Sequence, residues 1–257
     1  MEVPYPVVWM GAVIIFILSV GMLRTILSDE ADRKLPDFIT IADIQERKAA
    51  FFAYMEPLIG SANKEVLAQR KRIIRFRNRF ERGHINYRDV RWLRDLGISY
   101  SVRLVKRAPI TADQIERLLV RVDMIPPSMA IAQAAIESGW GTSRFARQGN
   151  NLFGTWCYEP GCGIIPRNRA KGAPHEVKRY ASPGDSMRDY IQNLNSNSAY
   201  IELRRIRAQL RKSGKLLDGL TVSDGLYRYS GNGWAYVDKV QHFIQSNYLD
   251  IFDEIQN

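Results

Sequence analysis

The chain has 257 residues, 46% of them hydrophobic and 11% aromatic, with a formal charge of +10. That much apolar material excludes a disordered or low-complexity protein and is enough for one folded domain with attachments. The charge is uneven: residues 70–107 hold thirteen Lys or Arg against Glu81, Asp89 and Asp95, which is the whole excess.

Val3 to Leu23 contains no charged residue, close to the roughly 20 residues that cross a bilayer core. Residues 1–27 read as a transmembrane anchor or signal-anchor. A cleaved signal peptide is the competing reading, disfavoured because no Lys or Arg precedes the run and no A-x-A site follows it. Arg24, Arg33 and Lys34 come after the run. By the positive-inside rule, which gives the nearby acids little weight, they favour a cytoplasmic body. Residues 28–40 are a polar linker.

From residue 41 to about 80, Ala50, Phe51, Tyr54, Leu58, Val66, Ile73, Ile74 and Phe76 recur at three- and four-residue steps, a helical pattern. Residues 85–100 read as another short helix pair, so 41–108 forms a basic helical region. RKRIIRFRNRFERGH interleaves aromatics with arginines, a pattern compatible with nucleic acid or an anionic polymer. A solvated helix face beside a membrane, attracted to anionic lipid, is the stronger reading, and no nucleic-acid partner is expected.

Thr111 begins a clearer unit, 109–257. T-A-D-Q is a helix start with Thr111 as cap and Gln114 three residues on. Pro126-Pro127 breaks that helix, and the next runs from Ser128 to Ser138. From Gly154 to Tyr180 the helical period fails, and Gly, Pro and Cys punctuate short extended pieces. Ser182-Pro183-Gly184-Asp185 starts a further helix carrying Met187, Tyr190, Ile191 and Leu194. The last helix is expected from Trp234 to about Ile255. The fold class is α+β, predominantly helical, with one small β-hairpin insertion.

Cys157 and Cys162 flank a Pro-Gly turn in CYEPGC. Two thiols are too few for a structural zinc site, and the C-x-x-C redox spacing is absent. A disulfide loop formed in an oxidising compartment fits best; a pair of free thiols is the alternative. His84, His175 and His242 show no ligand spacing, so neither a metal nor another cofactor is expected.

Glu137 lies at the end of the 128–138 helix, whose Met, Ala and Ile content, with Gln133 the main polar member, demands burial nearly all round. Gly139 is placed to end that helix in the left-handed conformation. Apolar surroundings and the partial negative charge of a helix carboxyl end both disfavour an ionised group there. Such a position suits a carboxyl that holds a proton and delivers it to a leaving oxygen, as in glycoside cleavage. An exposed glutamate of ordinary behaviour is the alternative. Trp140 and Trp156 offer flat faces to a sugar ring.

A-Q-A-A-I-E-S-G-W-G-T-S followed by N-N-L-F-G resembles the glucosaminidase domains of glycoside hydrolase family seventy-three. The longer N-N-L-F-G-T-W-C and G-C-G-I-I-P-R-N-R-A-K-G-A-P-H-E-V are similar to the Bax group of bacterial proteins within it. Lytic transglycosylases share E-S-G but continue with a G-L-M-Q-like segment where this chain has Asn151-Leu152-Phe153-Gly154. The resemblance covers residue 111 to the end, and the preceding helices loosely. It implies a lysozyme-like fold, hydrolysis of β-1,4 bonds at N-acetylglucosamine, and Glu137 as general acid. The substrate it implies, peptidoglycan or a related glycan, places the domain outside. The expected location is therefore a bacterial inner membrane, crossed once, with the domain periplasmic, overriding the charge signal.

Glycosidases usually pair two carboxylates, and the family carries the second on a hairpin. Glu176 in H-E-V-K-R-Y is the candidate base. Strand alternation puts Lys178 on its face to keep it ionised; a surface salt bridge is the alternative role. Glu159 and Asp185 are competing acids, the latter better explained as a cap. The substrate's own acetamido group is a third possibility. Tyr229 and Tyr236 match tyrosines that border the cleft in relatives, and with Trp140, Asn151, Phe153 and Trp156 they complete the expected substrate contacts. A lytic transglycosylase and a non-catalytic wall-glycan scaffold are the alternative functions.

Overall fold

The computed structural model describes residues 34–256 apart from 106 and 171. The expected anchor and the first part of the linker, residues 28–33, lie outside the described residues. Among the described residues, no helix is long and apolar enough to cross a membrane.

Helix α1 (Ile44–Glu81) is capped by Asp43, whose side chain accepts the Glu46 amide. At about 1.5 Å per residue it is roughly 57 Å long. Phe51, Met55, Leu58, Ile59, Ala62, Val66, Ile73 and Phe76 are buried along one stripe, the helical period expected of a core-facing helix. Helix α2 (Tyr87–Ser99) comes next. A single helix thus replaces the expected pair, because Asn86 caps its start and nothing breaks it before Tyr100.

Helix α3 (Ala112–Arg121) starts with the expected capping box of Thr111 and Gln114. Helix α4 (Pro127–Ser138) has Pro127 at its first turn, where proline lacks only an amide that would be unpaired anyway. Pro127 through Ala135 are all buried, as their composition demands. Helix α5 (Arg144–Gly149) leads into a three-stranded antiparallel sheet of β1 (Trp156–Cys157), β2 (Gly163–Ile164) and β3 (Glu176–Lys178). The strand order is β1-β3-β2, with Trp156 opposite Val177 and Gly163 opposite Lys178. Helix α6 (Pro183–Ser196) carries the predicted box of Ser182 and Asp185. Helices α7 (Ile201–Lys212), α8 (Gly219–Ser223), α9 (Trp234–Ser246) and α10 (Ile251–Gln256) finish the described chain. The expected last helix is therefore split between α9 and α10, with Tyr248 at φ 53° in the break.

Helix α4 is the centre. It packs against α1, α8, α9 and α10, while α1 also packs on α3 and α6. The basic region therefore shares one hydrophobic core with the helices from α3 onward. Polar latches secure this arrangement. Asn63 of α1 exchanges hydrogen bonds with Ile125, at 2.8 Å to its carbonyl and 3.0 Å from its amide. Arg207 of α7, fully buried, donates to the carbonyls of Val120, Arg121, Asp123 and Met124. Burial pushes the Asp123 carboxyl up, but Arg207, Arg211 and Arg70 outweigh it and hold the group below its usual range. Buried charges persist in folded proteins only with such partners.

Candidate active site

Glu137 sits half-buried in the last turn of α4. Gly139 ends the helix in the left-handed region, at φ 58° and ψ 52°, as the sequence predicts, and Trp140 comes next at φ 61°. The turn is pinned by Ser138, whose hydroxyl donates to Ala134 O and accepts the Gly141 amide at 2.8 Å. On one side of the carboxylate, the Tyr236 hydroxyl donates to Oε1 at 2.7 Å. On the other, a side chain at Gly154 would begin 4.0 Å from Oε2. Gly154 has φ 67°, a backbone that glycine adopts without strain, and it keeps that oxygen open.

Three tyrosines surround this point. Tyr229 stacks on Tyr236, centroids 5.3 Å apart at 11°, and its hydroxyl donates to Phe153 O at 3.4 Å. Tyr190 stacks on Phe153 at 3.9 Å and 8°. Burial raises all three phenols, and the charge of Glu137 adds to the effect at each. They are neutral hydroxyl donors at any physiological pH.

Glu176 opens β3, and its side chain meets the loop that the disulfide closes. Its carboxylate is buried and accepts the amides of Gly161 at 3.1 Å and Gly163 at 2.8 Å. Those two hydrogen bonds, more than any charge, hold it below the usual carboxylate range. The expected partner, Lys178, instead pairs with Asp189 of α6 at 3.0 Å. The correction has a simple cause: β3 is flanked by both other strands, and the loop joining β1 to β2 folds its free amides onto the nearest acid. Cys157 and Cys162 form a disulfide closing the same loop. One Glu176 oxygen and both sulfurs lie within 4.8 Å of one another, but sulfurs bonded to each other offer no thiolate to a metal.

Of the other acids, Asp185 completes the capping box that Ser182 opens at the start of α6, and Glu159 is exposed in the disulfide loop. Asp189, which sequence reasoning missed, accepts from Lys178 and from the Tyr180 hydroxyl at 2.5 Å, tying β3 to α6.

The expected sugar contacts divide. Asn151 is buried, and its amide group is spent on backbone: it donates to Thr155 O and Lys178 O and accepts from Phe153 N and Thr155 N. The Phe153 ring is buried against Tyr190. Trp140 packs among Phe51, Phe52 and Phe243, with Lys48 over its ring. Asn151 and Phe153 are thus engaged within the fold, whereas Trp140 is only partly buried. Trp156, 54% exposed and stacked on His175 at 4.3 Å, keeps a free face. Tyr229 and Tyr236 stand at the carboxylate. A cavity of about 460 Å³ lined by Glu202, Arg205, Tyr227 and Trp234 is separate, since none of the residues around Glu137 lines it.

The structure also brings in two residues that the sequence did not assign to the site. Gln133, one turn before Glu137, and Tyr190 of α6 are joined to it through Tyr236. Gln133 carried a signal, a polar residue in an apolar helix, which must find buried partners. Tyr190 carried none beyond its helical spacing.

Residues 112–249 match the family model described as mannosyl-glycoprotein endo-beta-N-acetylglucosaminidase, Glucosaminidase. The chain is 34% identical over 219 residues to Protein bax of Escherichia coli (strain K12), covering 83% of this chain and 74% of that one. It is 26% identical over 139 residues to Exo-glucosaminidase LytG of Bacillus subtilis (strain 168), covering 50% of this chain and 46% of the relative. No solved structure gives a significant match. The match begins at α3 and ends just after α9, so it spans Glu137, the sheet, Tyr229 and Tyr236, and the chain belongs to the glucosaminidase family as a Bax-like protein.

Proposed function

We propose that this protein is a membrane-anchored β-N-acetylglucosaminidase that cleaves β-1,4 bonds within peptidoglycan strands, with Glu137 as general acid. The observation that carries this is the Tyr236 hydroxyl donating to Glu137 Oε1 at 2.7 Å, at the end of a buried helix, while Oε2 faces an open glycine. A carboxyl so held can release a proton from its free oxygen while the other stays stabilised, the arrangement general-acid catalysis needs. The disulfide supports a domain folded in an oxidising compartment, and the uncharged run Val3 to Leu23 supports an anchor that leaves the domain on the periplasmic side.

For the second step, the engagement of both Glu176 oxygens by backbone amides favours attack by the substrate's own acetamido group over a carboxylate base from the chain.

Glu137→Gln should lower release of new reducing ends from purified peptidoglycan by about 10²- to 10⁴-fold; undiminished release would end the proposal. Mass spectrometry of the products separates the related readings. Internal fragments ending in reducing N-acetylglucosamine support endo-hydrolysis, single sugars released from chain ends indicate exo-action, and anhydro-muramyl ends indicate a transglycosylase. Binding without turnover would leave only a scaffold.

A further inference from the structure

Gln133 is fully buried and stands four residues before Glu137, on the same face of α4. Its side chain bridges two tyrosines from other helices. Tyr190 OH donates to Gln133 Oε1 at 2.6 Å, and Gln133 Nε2 donates to Tyr236 OH at 3.0 Å. Tyr236 in turn donates to Glu137 Oε1.

The chain of bonds has one direction that satisfies every group. The Tyr190 hydroxyl is enclosed, its ring pressed flat on Phe153, and Gln133 is the acceptor that it meets among the described residues. A buried hydroxyl hydrogen left without an acceptor is costly, so Gln133 turns its carbonyl to Tyr190. Its amide hydrogens then face Tyr236, whose oxygen accepts and whose own hydrogen goes to Glu137. With the amide reversed, two donors would confront each other at Tyr190 or its hydrogen would be stranded.

We propose that Gln133 and Tyr190 are positioning residues for the hydrolysis, holding this relay in one polarity so that Glu137 Oε1 is always an acceptor and the transferable proton sits on Oε2, facing Gly154. The inference rests on Glu137 being the acid. In the step it serves, the substrate's acetamido oxygen bonds to C1 as the C1–O glycosidic bond breaks, its electron pair remaining on the leaving oxygen, which takes the proton from Oε2. Glu137 becomes a carboxylate whose Oε1 is already bonded by Tyr236. Water then gives hydroxyl to C1 as the C1–acetamido bond breaks and the N-acetyl group is restored, and the proton released returns to Oε2.

The test uses the full-length enzyme with soluble peptidoglycan fragments, comparing wild type, Tyr190→Phe, Gln133→Met and the double variant. Tyr190→Phe removes one oxygen and keeps the ring on Phe153. It should lower kcat about 10-fold, the scale of one lost buried hydrogen bond, with KM within about twofold. Gln133→Met, similar in volume, should lower kcat further. The double variant should be no slower than Gln133→Met, since Tyr190 reaches Glu137 only through Gln133. Unchanged kcat in Tyr190→Phe, a rise in KM in place of the fall in kcat, or multiplicative losses in the double variant would each overturn the relay. Should Gln133→Met fail to fold by circular dichroism, Tyr190→Phe decides alone. Glu137→Gln run alongside separates the two failures: if it retains activity the acid assignment itself is wrong, whereas an inactive Glu137→Gln beside a fully active Tyr190→Phe sinks the relay only.

Discussion

Tyr236 reaches Glu137 across 99 positions of sequence, its hydroxyl 2.7 Å from the carboxylate. The contact joins α9 to the end of α4, and its strength is set by surroundings that keep the phenol neutral. Burial is the main cause of that neutrality, with the Glu137 charge second.

Tyr236→Phe should therefore keep the fold and lose turnover. The ring remains stacked on Tyr229, and one charge-assisted hydrogen bond disappears, worth about 1.5–3 kcal/mol. The corresponding fall in kcat/KM is about 10- to 100-fold, measured by reducing-end release. Equal activity in the two proteins would show that the bond is idle during catalysis.

Glu176 yields a prediction opposite to that for a catalytic base. Glu176→Ala removes the acceptor for Gly161 and Gly163 and should loosen the disulfide loop, seen as faster amide exchange at those two glycines. Activity should fall modestly, and added azide should restore none of it. Rescue by azide would return Glu176 to the role of base.

Gly154→Ala tests the open side of the carboxylate. A methyl 4.0 Å from Oε2 is in ordinary van der Waals contact and takes up the space beside that oxygen, and on a backbone at φ 67° it adds a left-handed strain of about 1–2 kcal/mol. The variant should melt a few degrees lower and lose more kcat/KM than Tyr190→Phe. Wild-type kinetics would mean that substrate does not approach along this side.

Asp253 of α10 makes stability depend on pH. It is buried and accepts from Ser128 N at 2.9 Å, Ser128 Oγ at 2.6 Å and Gly219 N at 2.7 Å. Burial, outweighing those bonds, raises its carboxyl to about 6 from an unfolded 3.8. Between these values the folded chain binds more protons than the unfolded one, so this contribution is fully present below about pH 4 and lost as pH rises through about 6. The difference is about 3 kcal/mol by the usual conversion of roughly 1.4 kcal/mol per unit. Denaturation midpoints of wild type should fall from pH 4 to pH 7 relative to Asp253→Asn, and parallel profiles would refute the assignment.

Much of the helical frame was legible because its signals are local. The boxes at Thr111 and Ser182, the left-handed Gly139 and the apolar stripe of α1 each arise from residues within one or two turns. The place of Glu137 in the last turn of a buried helix was legible as well, because the apolar run and Gly139 define that helix locally. Asn151, Phe153 and Trp140 read as sugar contacts because polar and aromatic residues near an acid suit that role. In the fold those side chains also meet partners such as Lys178 O, Tyr190 and Phe243, which lie far from them in sequence. The Gln133 bridge needs α4, α6 and α9 together, joining residues 57 and 103 positions away, beyond the reach of any periodic pattern.

The Asp253 clamp also joins distant parts of the chain. It fastens the amino end of α4 from 125 positions away, and closing a loop of that length costs entropy before any contact returns it. Through this clamp the first turn of α4, upstream of Glu137, is tied to the far end of the described chain, so a change in α10 is transmitted to the helix that carries the acid.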